Sequence, residues 1–166
     1  MFNFANACTM KANVTLFEES KVCAIYSIQF STENVPEFQK FLEKFTHSVK
    51  YRKDYETIIN TIVRILERGA KERYFRPEGK LADRVVALPI DKACLRLYCI
   101  RLTDSVLIIG NGGVKKTATY QEDDTLRGYV LSLQKLDRLI KRCEKDGVIK
   151  VGYKKIEGLD SLNFDL

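Results

Sequence analysis

The chain is expected to form a single α+β domain, with an N-terminal strand, a helical hairpin, an antiparallel strand meander and a C-terminal helix. Three observations predict this. Val22 to Phe30 alternates, with Val22, Ala24, Tyr26, Ile28 and Phe30 on one side. Residues 35–68 carry apolar side chains at helical spacing in two runs a few residues apart. Leu95 to Tyr120, LRLYCIRLTDSVLIIGNGGVKKTATY, is two apolar runs joined by a polar turn and followed by a glycine-rich, basic exit.

At 166 residues, with 45% hydrophobic and 30% charged side chains, the chain is long enough to bury a core and too apolar for disorder. No linker, repeat or low-complexity segment divides it, so 1–166 is read as one domain. The first 20 residues are polar and aperiodic, and 1–20 is read as an N-terminal extension. Ser31, Thr32 and Asn34 offer helix caps before Val35, Phe38, Phe41, Leu42 and Phe45, with Pro36 in the first turn. The second helix runs from about Lys53 to Arg68 and stops at Gly69.

From Glu72 the period becomes two. ERYFR is a candidate strand, Pro77-Glu78-Gly79 a turn, and RVVALPI a strand that ends, or lies at an edge, at Pro89. The hairpin follows. Leu95, Leu97 and Cys99 share one face of its first strand, and Arg96, Tyr98, Ile100 and Leu102 the other. Thr103-Asp104-Ser105 is the turn, Val106 to Ile109 is apolar on both faces, and Asn111-Gly112-Gly113 should break the strand. A last helix starts at Asp123 or Asp124 and ends before Gly147. Val148 to Tyr153 adds a short strand, and IEGLDSLNFDL is an acidic tail (156–166) with three acids and no bases. Helices following a single strand and then a meander are expected on one sheet face.

Net charge is +6 and the pI about 9.0. Between Arg64 and Lys116 stand 12 Lys/Arg against 6 Asp/Glu, so this window holds the whole surplus. Such a balance invites nucleic acid, an anionic surface or an acidic partner. The five cysteines show no CxxC spacing and His47 is the only histidine, so no zinc site and no cofactor are expected. Buried free thiols in a reducing compartment are the simpler reading. No apolar run approaches the ~20 residues of a membrane span, and MFNFANACTMK lacks the features of a signal peptide. A cytoplasmic protein with no membrane partner is expected.

No Walker loop, GxSxG elbow, HExxH or strand-to-helix GxGxxG is present. Acid–base work would therefore fall to Lys, Arg or Tyr. Arg96, between Leu95 and Leu97 in an apolar strand, needs a partner or a ligand. It is an arginine at the sheet's exposed edge, or one paired with an acid such as Asp83 or Asp91, or a group that binds a phosphate ligand. Lys115 and Lys116 are either a solvated strand end or part of the same clamp.

The stretch LRLYCIRLTDSVLIIGNGGVKKT, with the order strand, helical hairpin, strand meander and basic exit, resembles the RelE/ParE toxin superfamily of bacterial toxin–antitoxin systems, in its HigB-like and phage-derived branch. The resemblance implies a RelE-like fold and a metal-independent endoribonuclease acting on mRNA on the ribosome. It also implies a cognate antitoxin, a helix-turn-helix protein, covering the site. By that resemblance Arg96 is the strand arginine that clamps a phosphate, and Lys116 with Lys115 stabilises the developing charge. Tyr120 falls near the proton-transfer tyrosine, though not at the family's spacing. Arg84 is a loose match to a family lysine, and Arg101 is a further RNA-binding candidate. The chain is longer than family members usually are. The alternative is a binder on the same fold, like the gyrase-inhibiting branch or an RNA or protein adaptor.

Overall fold

The computed structural model describes residues 9–80, 82–116 and 123–166. Its elements are β1 (Lys11–Glu19), β2 (Ala24–Phe30), α1 (Glu37–Phe45), α2 (Arg52–Arg68), β3 (Arg76–Pro77), β4 (Val85–Leu88), β5 (Leu95–Thr103), β6 (Val106–Val114), α3 (Asp124–Lys145), β7 (Lys150–Gly152), β8 (Lys155–Glu157) and β9 (Phe164–Asp165). Seven strands form one mixed sheet in the order β3-β4-β5-β6-β2-β1-β9, and β7-β8 is a separate ribbon. Within the large sheet β2 runs parallel to β6, while the other neighbours are antiparallel. This is an α+β architecture with the β5–β6 hairpin at its middle.

The helices lie on both faces of the sheet, not on one as expected. Phe38, Phe41 and Phe45 of α1 and Ile58, Ile62 and Ile65 of α2 pack with Ile25, Leu97, Leu107 and Ile109. On the other face Leu126, Val130, Leu133 and Leu136 of α3 pack with Tyr26, Ile100 and Ile108. The cause is written in the central strands. β2, β5 and β6 are apolar at odd and even positions alike, so each face must be covered.

The two ends of the chain are also structured. The expected extension contains β1, paired antiparallel to β2 from Ala12↔Phe30 to Glu19↔Ala24, with Ala12 and Val14 buried. The expected acidic tail holds β8, a 3-10 turn at Leu159–Ser161, and β9, which pairs with β1. Ile156, Leu159 and Phe164 insert into the α3-side core and tie the tail down. Its acids alternate with these anchors, so the charge is outward.

Local punctuation departs from expectation in three places. None of Ser31, Thr32 or Asn34 caps α1; Pro36 is the N-cap residue, and the Phe38 amide donates to Ser27 Oγ at 3.1 Å. The segment ERYFR is a 3-10 turn (Glu72–Tyr74) followed by the two-residue β3, with Phe75 buried in the α1/α2-side core and Tyr74 packed against it. Asn111-Gly112-Gly113 does not break β6, which continues to Val114 opposite Leu95. A Cβ built on Gly112 would stand 1.9 Å from the Arg96 carbonyl oxygen, so this glycine serves close strand approach, not a turn.

Elsewhere the periodicity holds. Gly69 ends α2 at φ 94°, and the Asp123 carboxylate caps α3 by accepting the Leu126 amide at 3.0 Å. Among the described residues, no helix is long and apolar enough to cross a membrane.

Candidate functional site

Arg96 sits one residue into β5, opposite Gly113, and is only 2% exposed. Its neighbours Leu95 and Leu97 belong to the α1/α2 core, and Tyr98 and Ile100 to the α3-side core. Strand alternation therefore gives Arg96 the α3 side of the sheet. Nη1 donates to the Leu95 carbonyl at 3.0 Å, and Nε has no hydrogen-bond partner. Among the described residues no carboxylate forms an ion pair with it. Asp83, one suggested partner, instead accepts from Gln134 and the Lys80 amide.

A buried guanidinium normally has a counter-ion. Here burial pushes the Arg96 pKa down, and the positive charge of Arg76 pushes it further, against weaker support from Glu78 and Asp54. Lys115 is lowered in the same way, first by burial and then by Arg96. Arg76 on β3, Arg96 on β5, Lys115 after β6 and Lys92 before β5 thus share one region of like charge. Glu78 and Asp54 are the acids that act on Arg96, and Glu78 is already ion-paired with Arg76 Nε at 3.1 Å.

The backbone of this end is held by Asp54. Its carboxylate, in the first turn of α2, accepts the amides of Cys94 at 2.7 Å and Leu95 at 3.1 Å. The Lys115 amide closes the ladder onto the Cys94 carbonyl at 2.6 Å. Lys116 is exposed and lines a shallow depression with Lys44, Tyr51 and Gly113. The region gathers several cations and no histidine; its unused N–H donor, Arg96 Nε, is buried, and the depression lined by Lys116 also includes Asp123.

Two other candidates have internal work. Arg84 donates from Nε to Asp137 Oδ1 at 2.7 Å and from its backbone amide to Asp137 Oδ2 at 3.1 Å, and Nη2 reaches Glu144 at 3.4 Å. Arg101 donates from Nε to the Ala70 carbonyl at 2.6 Å, pairs with Asp104, and approaches Glu72 at 3.7 Å. Arg84 turns toward α3 and Arg101 toward the end of α2, yet the Arg101 amide donates to the Arg84 carbonyl at 3.0 Å and both residues line one cavity of about 500 Å³. Neither joins the Arg96 cluster. Tyr120 lies outside the described residues.

Arg76, Lys92 and Asp54 escaped the sequence reading. Arg76 stands in a charged, turn-rich stretch, and only the pairing of β3 with β4 brings it near β5. Among the described residues no group of three or more His, Cys, Asp or Glu could hold a metal ion.

Fold and site together define an α+β protein with a two-faced mixed sheet and a cationic end to its central hairpin. No protein-family model matches the chain, and no curated protein or solved structure matches it either.

Proposed function

We propose that the protein is a toxin of the RelE/ParE type, a ribosome-dependent, metal-independent endonuclease that cuts mRNA and is held inactive by a cognate antitoxin. The observation that carries this reading is Arg96, a buried guanidinium without an acidic partner among the described residues, flanked by Arg76 and Lys115. A phosphate in this region would supply the missing counter-charge and accept from the idle donor. The order of two helices after β2, then the antiparallel run β3 to β6 with a basic exit, also supports it, although β1 precedes β2 as an additional strand.

In the proposed reaction the RNA's 2′-oxygen attacks the adjacent phosphorus. The 2′-O–P bond forms, the P–O5′ bond breaks, and the 2′ proton is lost while the departing 5′-oxygen gains one. Arg96 and Lys116, with Lys115, would stabilise the charge on the phosphoryl oxygens. Tyr120 is the proposed proton-transfer group.

A second reading, a binder on the same scaffold, is favoured by a specific observation. Arg96 is covered, and Arg84 and Arg101 are engaged in internal ion pairs. A binder needs only the exposed Lys116 and its basic surroundings. Pulsed expression separates the two: a nuclease arrests growth and leaves ribosome-dependent cuts in mRNA, whereas a binder leaves mRNA intact. Absence of both arrest and cuts would remove the nuclease reading.

A further inference from the structure

β2 and β6 lie side by side and parallel, with Ser27 paired to Ile109. The helices that follow them lie on opposite faces: α1 after β2 packs in one core, and α3 after β6 in the other. Connections that diverge from adjacent carboxyl ends leave a crevice between them, the place where open sheets with helices on both faces hold ligands. A crevice of about 370 Å³ occurs there, within the size range of small-molecule sites.

Its polar wall is built around a bulge in β6. Between the pairs Leu97↔Gly112 and Cys99↔Ile109, two residues, Gly110 and Asn111, face Tyr98 alone. Asn111 Nδ2 donates to the buried Glu37 carboxylate at 2.7 Å, and Asn111 Oδ1 accepts the Gly112 amide at 2.7 Å. The other Glu37 oxygen accepts from Lys40 Nζ at 3.1 Å, and Lys40 also pairs with Glu33 at 3.1 Å. One ammonium thus serves two carboxylates. Asp124 adds a third acid to the lining, and no hydrogen bond or ion pair among the described residues engages it or the Tyr129 hydroxyl. Ile28, Phe30 and Leu133 supply apolar surface, and Gly110 keeps the floor open, since a Cβ there would press on Leu133 at 3.2 Å.

We infer that this crevice binds a small organic cation, a primary ammonium carried on an apolar or aromatic body. The lining has three acids to one lysine, so it attracts a cation and repels an anion. The ammonium would meet Asp124 and the Glu33–Glu37 edge, and its body would lie against Tyr129 and Phe30. Burial, and next the Glu37 charge, raise the Tyr129 pKa, so the phenol stays neutral and available as an acceptor. The site is on the β2 side of β6, away from the cationic cluster toward β5 and β3, and does not depend on the RNA reading.

The test titrates the full-length protein with phenethylamine, following the backbone amide signals of Gly110, Asn111 and Gly128 by two-dimensional NMR. 2-Phenylethanol and 3-phenylpropanoate serve as neutral and anionic isosteres. Gly128 lines the crevice and a Cβ there meets nothing within 4 Å, so Gly128→Leu is the variant chosen to occlude it. Saturable shifts with the amine are expected, weakened about tenfold or more in the alcohol and in Asp124→Asn, as for loss of a charged hydrogen bond, and abolished in folded Gly128→Leu. No saturation by about 10 mM amine, well above a millimolar Kd, overturns the inference. So does equal binding of either isostere, or undiminished binding to folded Gly128→Leu.

Discussion

Gly112 passes so close to Arg96 that a methyl group on it would stand 1.9 Å from the Arg96 carbonyl oxygen and 2.8 Å from Leu97 Cα. Both neighbours are backbone, which cannot rotate away. Gly112→Ala must therefore push β6 off β5 at the centre of the sheet. We expect a loss of about 3 kcal/mol or more, at the upper end of single-substitution effects, read as a lower denaturation midpoint by urea titration. A change below about 0.5 kcal/mol, the range of neutral surface substitutions, would show that the strands are not in this contact.

The Arg96 guanidinium is costly to bury, and a hydrophobic residue of similar volume removes that cost. Arg96→Met should leave stability unchanged or raise it by about 1–2 kcal/mol while removing RNA-directed activity. Thermal and urea unfolding measure the first, mRNA cleavage the second. Strong destabilisation by Met would instead mark Arg96 as a structural group.

Asp137 is fully buried and receives Arg84 at 2.7 Å and Lys141 at 3.2 Å. Removing the acid strands a partly covered guanidinium against α3. Asp137→Ala should cost about 3–5 kcal/mol, as for breaking other buried ion pairs. Arg84→Ala in the same background should then cost little more, and a double-mutant cycle in urea reads the coupling. Additive losses would argue against the pair.

Burial raises the Cys23 thiol to about 11 and lifts Cys99 as well, so at neutral pH both remain protonated and shielded. Cys94 is exposed. Brief alkylation of the native protein, mapped by mass spectrometry, should label Cys94 and spare Cys23 and Cys99 until denaturant is added. Native labelling of Cys99 at the rate of Cys94 would contradict the packing of β5.

The Lys71 ammonium at 2.6 Å, and then Arg101, hold the Asp104 carboxyl below the usual aspartate range. A depressed acid stabilises the fold above its unfolded pKa and loses that contribution as pH falls through the folded value. Asp104 is largely solvated, so the effect on stability is small. The side-chain NMR titration of Asp104 should have its midpoint below that of an unfolded aspartate, and Lys71→Ala should move it upward. An unmoved midpoint in Lys71→Ala would contradict the pairing.

Much of this fold was legible because periodicity is a direct consequence of burial. Ile58, Ile62 and Ile65 marked the inner side of α2, and the apolar run Val106 to Ile109 marked a central strand. β1 was not legible, because only Ala12 and Val14 are buried, Leu16 is exposed, and a bulge between Leu16 and Glu18 breaks the alternation where Phe17 packs against Phe38. The tail looked detachable by charge, yet Phe164 and Leu159 anchor it. The second covered face was implied by the same doubly apolar strands but went unread. In the site, Arg96 stood out as a charge among apolar residues. Its companions Arg76 and Lys92 did not, since their proximity depends on the pairing of distant strands. Glu37 and Asn111, 74 positions apart, could be joined only by the fold.

Primer extension on cellular mRNA after a short pulse of expression tests the proposed activity most directly, with wild-type protein, Arg96→Met and Lys116→Ala compared at equal, folded levels. Wild type should produce discrete cuts that vanish when ribosomes are kept off the message, and both variants should produce none. Intact mRNA with wild-type protein, or cuts undiminished by Arg96→Met, would contradict the assignment of the cationic end of β5 and β6 as a ribonuclease site.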